Sequence, residues 1–223
     1  MIARAMNRSV NSAAMLFTLA ALFASGCSSS APDQSQRLVT SIDQLQTRGM
    51  ITRAQVDRTM DSLNALQTSK DIRTDFQVFS DNVDEVGKQA KEIQDLAGDM
   101  KNRMETYIEK WQQDTSKTTD ASLKSISEQR RLAVKQRFIE VQGAQQGLAT
   151  AYKSFHGDIT SLRVYLANDL TSGALDAAAP IIKKTNADRA EMKKYGTQLF
   201  AILEQVSAGM TSTTAPSASP DSK

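Results

Sequence analysis

Residues able to do chemistry are few in this chain, which has one cysteine, Cys27, and one histidine, His156. A lone histidine cannot supply the paired Glu-x-x-His motifs that hold two metals in a helical-bundle core. His156 follows Phe155, an apolar seam position, and reads as a flanking residue with a local partner rather than a base or a ligand. Asp95, Asp99, Glu105 and Glu109 fall at helical spacing, the pattern of a solvated helix face. Nothing has the form of a Gly-rich phosphate loop, a nucleophile elbow or a zinc motif. The expectation is a protein that is not an enzyme, with no metal site and no cofactor.

Arg130, Arg131, Lys135 and Arg137 form a basic cluster with two readings. As an anion site it would take lipid head groups or wall polymer. As a structural feature it would pair with Glu105 and Glu109 on a neighbouring antiparallel helix, each exposed pair contributing only tenths of a kcal/mol. Interhelical pairing is the favoured reading. Met100 and Met104 sit inside an apolar seam and read as core, and Trp111 ends that seam, where a ring closes a core.

Cys27 points to an address. Arg4 and Arg8 precede an apolar run over residues 13–23, then the small residues Ala24-Ser25-Gly26 abut the cysteine. This is the arrangement of an export signal, and the run is well short of the ~20 residues that cross hydrocarbon as a helix. The small triplet before Cys27 resembles a bacterial lipobox, with Ala24 where leucine is usual. The resemblance implies cleavage after residue 26, acylation of Cys27, and, with Ser28 next, sorting to the outer membrane. Loss of residues 1–26 removes Arg4 and Arg8 and leaves equal numbers of basic and acidic side chains. A neutral chain lacks the footprint of a nucleic-acid binder.

Long helices are expected to follow. Residues 27–36 read as a lipid-anchored tether containing Pro32, and 37–207 as one helical bundle. Leu38, Ile42 and Leu45 make a first stripe, Gly49 offers a stop, and Thr52 with Gln55 has the form of a capping box before Val56, Met60, Leu63 and Leu66. From Ile72 through Phe79 and Val86 to Trp111, twelve apolar positions alternate steps of four and three. That 3.5-residue period marks a coiled-coil-like seam. It predicts a helix over 71–112. After the polar segment 112–120 the spacing returns from Val134 to Leu166, with Leu123, Ile126 and Ala133 leading in and Gln145 the single polar position, predicting a helix over 121–169. Between Asp71 and Trp111 there are ten acidic and six basic residues, and between Ala121 and Asp169 four and seven, which favours pairing of these two helices. Pro180 suits a helix's first turn, so the last helix is placed at 179–207. Its first half, "KKTNADRAEMKK", is poor in large apolar groups and should pack less tightly. Residues 208–223 read as a disordered tail. The fold expected is all-α, an elongated antiparallel helical bundle with heptad seams.

The order of these parts carries a family resemblance. Cys27, a heptad helix ending in Lys110-Trp111, the Leu123 to Arg131 region, a second helix with Phe155, Asp158, Leu162 and Leu166, then Asn168 and a third helix resemble the bacterial envelope lipoproteins grouped as domain of unknown function 2959. The resemblance spans roughly residues 71–206 and departs at Asn168-Asp169-Leu170, where an Asn-Leu-Asn run would match more closely. It implies an all-helical lipoprotein and names no chemistry. Lys223 at the chain end resembles the terminal lysine of murein lipoprotein, which is joined to peptidoglycan.

The function expected is that of a structural or interaction scaffold in the periplasm, held at the outer membrane by its N-terminal lipid, with an envelope protein or peptidoglycan as partner. The alternative is a carrier or chaperone-like module for lipid or unfolded chains.

Overall fold

The computed structural model describes residues 31–211. Cys27, Ser28 and Lys223 lie outside them, as do residues 27–30 of the expected tether and 212–223 of the expected tail. The described chain is α1 (Ala31–Ala65), a short 3-10 turn (Leu66–Thr68), α2 (Ile72–Ser116), α3 (Ala121–Asn168) and α4 (Ser172–Thr211). They form an elongated antiparallel four-helix bundle. The 45 residues of α2 span about 68 Å at the helical rise.

Helix starts are fixed by local chemistry. Asp71 accepts from the Thr74 backbone N–H at 3.2 Å and Asp120 from that of Leu123 at 2.9 Å, satisfying donors that a first turn leaves without partners. Thr171 does the same for α4, its hydroxyl accepting from Ala174 N–H at 3.2 Å.

Besides the end of α2, which lies at Ser116 rather than at 112, four boundary expectations are corrected. First, α1 begins at Ala31, so residues 31–36 are helix and not tether, with Pro32 in the first turn where its missing N–H is harmless. Second, α1 runs unbroken through Gly49. Thr52 is mid-helix, its hydroxyl donating to the Arg48 carbonyl at 3.0 Å, and Gln55 is no capping partner but donates across to Asn82 at 2.9 Å. Third, α4 starts at Ser172, which leaves Pro180 inside it. The burial of Ala174, Leu175, Ala178 and Ile182 on that turn-end stretch offsets the lost backbone hydrogen bond. Fourth, α4 continues to Thr211 and buries Met210, so residues 208–211 are helical.

The pairing of helices also differs from the charge argument. α1 packs most extensively on α2, and α3 on α4; the α2–α3 and α1–α4 interfaces are smaller. Apolar area outweighs the opposite net charges of α2 and α3, which Asp84 and Arg163 join by an ion pair. Leu123, Ile126 and Ala133 are exposed instead of leading into the seam; at that end Trp111 and Thr115 of α2 meet α3 through Ser127.

The core is in two parts. One, toward the 65–72 and 168–172 turns, holds Met60, Leu63, Phe79, Val86, Phe155, Ile159 and Leu166. The other, toward the 116–121 turn, holds Leu38, Ile42, Met100, Met104, Val141 and Leu203. Full burial of each such side chain contributes about 1.5–3 kcal/mol. Between the two, the seam positions Ala90, Ile93, Ala97, Gln145, Leu148 and Tyr152 are only partly buried.

Candidate functional site

The residues singled out by type do not converge. The imidazole of His156 stacks on Tyr152, with centroids 5.3 Å apart, beside Gly87 of α2. Burial, and then the charge of Arg163, push its pKa below the ordinary value. Among the described residues no group of three or more His, Cys, Asp or Glu is placed to hold a metal. Asp99 pairs with Arg103 at 2.7 Å and Glu105 with Lys101 at 3.8 Å, both along the surface of α2.

Among the described residues the basic cluster forms no interhelical ion pair. Arg131 lies covered on α3 and donates to Glu128 at 3.0 Å, and Arg137 pairs with Glu140 at 2.8 Å, both within α3. Neither reaches Glu105 or Glu109, because one turn of helix brings a carboxylate of their own to each. Arg130 sits over the Trp111 ring at 6.0 Å, and Lys135 is exposed. Trp111 donates its indole N–H to Ser127 at 2.8 Å and packs edge-on against Tyr107, closing that end of the bundle. With two of its four cations committed to carboxylates and one to an aromatic face, the cluster is not a built anion site.

Ion pairs bridge each pair of neighbouring helices. Arg48 of α1 meets Glu92 of α2 at 3.1 Å, Asp84 of α2 meets Arg163 of α3, Asp158 of α3 meets Lys184 of α4 at 2.6 Å, and Arg189 of α4 meets Asp57 of α1 at 2.7 Å. Hydrogen bonds that Lys184 donates to Asp158 and Asp188 raise its pKa. Burial pushes Asp188 up, but Lys184 and Ser154 as donors hold it below the ordinary value. These contacts fix helix register around the middle of the bundle.

The middle is where a ligand fits. A cavity of about 960 Å³ lies between the two cores, lined by all four helices. Leu45 and Val56 of α1, Ile93 of α2, Leu148 of α3 and Leu199 of α4 give it an apolar interior. It exists because the bundle narrows its side chains there: Gly49, Gly87, Ala90, Ala97, Gly98 and Gly196 all border it. Two α4 rings use glycines on neighbouring helices as seats. A Cβ on Gly49 would lie 2.5 Å from Phe200 Cζ, and one on Gly147 would lie 2.7 Å from Tyr195 Cδ1. Gln145 also lines the cavity, and its buried Nε2 has no hydrogen-bond partner. Such a donor is destabilising when left without an acceptor.

Sequence reasoning found the thin first half of the last helix, and Arg189, Met192 and Lys193 from that stretch do line the cavity. Ala90 and Ala97 read from the sequence as ordinary seam positions, and Gln145 as the one polar position of its seam. Small and polar residues replacing large apolar ones at matching levels were the available signal.

Comparison with protein families, with curated proteins and with solved structures gave no match to this chain. Among the described residues no helix is long and apolar enough to cross a membrane.

Proposed function

We propose that this chain is an envelope carrier: a helical bundle tethered through an acylated Cys27 that holds an apolar ligand in its central cavity. The single observation that carries this reading is the cavity itself. Its volume of about 960 Å³ is at the upper end of the ~300–1,000 Å³ of small-molecule sites, and its interior is apolar with a few convergent polar groups. A bundle selected only for rigidity would cover this apolar lining with larger side chains, since apolar surface left facing water is unfavourable. The lipobox-like residues before Cys27 and the serine at position 28 support a location at the outer membrane, facing the periplasm. The resemblance to domain of unknown function 2959 supports an envelope lipoprotein.

A scaffold role is the second reading, favoured by the length of the bundle. An environment-sensitive apolar dye separates the two. The carrier reading expects saturable binding to the purified protein that competing lipid displaces and that Ala97→Phe, which narrows the cavity, weakens without lowering the melting temperature. Absence of displaceable binding would leave the scaffold.

A further inference from the structure

We infer that the ligand of this cavity is an anionic, single-chain amphiphile, with its head group held between α2 and α3 by Lys91 and Lys153. This ligand class presupposes that the cavity is a binding site, as proposed above.

Each helix brings an exposed cation to the cavity edge, Arg53 on α1, Lys91 on α2, Lys153 on α3 and Lys193 on α4, and α2 adds a second, Lys101, which Glu105 pairs at 3.8 Å. Among the described residues none of the four forms an ion pair. The one lining carboxylate is Asp57, and Arg189 holds it. An apolar interior with an edge of one sign selects a ligand with a long apolar part and a charge of the opposite sign.

The two sides of the cavity are not equivalent. Between α1 and α4 it is bridged by Asp57–Arg189, by the Phe200 ring seated on Gly49, and by Gln46 donating to the Phe200 carbonyl at 3.3 Å. Between α2 and α3 its margin is exposed along Lys91, Gln94 and Gly98 on one helix and Gln142, Gln146 and Lys153 on the other. Gly87 faces His156 across this margin. Lys91 is one turn on from Gly87, and Lys153 nearly one turn back from His156, so antiparallel packing brings both lysines to one level. The buried Gln145 amide, further along the same side, offers another donor to ligand oxygens.

Titration calorimetry of the purified protein with dodecanoate, dodecanol and dodecyltrimethylammonium tests this. Dodecanoate should bind roughly tenfold or more tighter than the ammonium, and decanoate weaker than dodecanoate by roughly fourfold per methylene removed. Replacing both surface lysines, Lys91→Gln with Lys153→Gln, should weaken dodecanoate by about tenfold and leave dodecanol unchanged. Arg53→Gln with Lys193→Gln should stay within about twofold. Equal affinity for the three head groups would overturn the ligand class while leaving the cavity a binding site. No binding of any of them would overturn both. Equal losses in the two double variants would overturn the placement of the head group between α2 and α3.

Discussion

The ring of Phe200 occupies the space that any side chain at Gly49 would need, since a Cβ there would lie 2.5 Å from Phe200 Cζ. This contact joins α4 to α1 at the edge of the cavity. Gly49→Ala must therefore displace the ring, at about 1–3 kcal/mol, against a gain in helix propensity of about 1 kcal/mol. Gly143, on an exposed stretch of α3, has nothing within 4 Å of a built Cβ, so Gly143→Ala should show the gain alone. Thermal melts should place Gly143→Ala above the wild type and Gly49→Ala below it. Equal increases would mean that the ring does not sit where described.

Val86 is fully buried in the core nearer the 65–72 turn, and Lys88, two residues on, is 73% exposed. Val86→Asp places an unpaired charge among apolar side chains and should lower stability by about 3 kcal/mol or more. Lys88→Asp should change it by no more than about half a kcal/mol. Denaturant titration of the two variants checks this, and equal midpoints would contradict the packing of α2.

The pKa of His156 is held below the ordinary 6.5, first by burial and then by Arg163. Tyr152 and Gly87 face the ring, and Asp84 occupies Arg163. The unfolded chain takes up this proton at higher pH than the folded chain, so stability contributed by the neutral imidazole falls as pH drops through about 6.5 toward the folded value. The carboxylate of Asp188, also depressed, loses its contribution only at lower pH, below its ordinary 3.8. Between pH 7.5 and 5.5 the melting temperature should fall more for the wild type than for His156→Gln. Parallel decreases would remove His156 as the cause.

Much of α2 and α3 is legible in the sequence because a four-and-three alternation of apolar residues is a local signal, and Asp71 and Asp120 cap the helices it predicts. The continuity of α1 is not legible in that way. Gly49 reads as a stop from its own propensity, and only the approach of Phe200 from 151 residues away explains why a glycine sits mid-helix. Pro180 misleads for a similar reason: its local preference is for a first turn, and tertiary burial of the residues around it extends the helix upstream. The cavity was half visible, in the apolar-poor start of the last helix. Its other walls depend on which Ala and Gly positions come level, and that follows from inter-helix register.

Mass spectrometry of the mature N-terminus addresses the anchor. A first peptide beginning at acylated Cys27 is expected, and Ser28→Asp should shift the protein to the inner membrane with no change in melting temperature. A free thiol at Cys27 in exported protein would contradict the lipoprotein reading.

The most direct measurement of the central claim is methyl NMR of the purified protein titrated with dodecanoate. The largest shifts are expected at the cavity methyls of Leu45, Val56, Ile93, Leu148 and Leu199, while Leu63 and Leu166 in one core and Leu38 in the other stay nearly still. Shifts confined to the exposed Leu123, Ile126 and Leu132, or no saturable shifts at all, would contradict a ligand held inside the bundle.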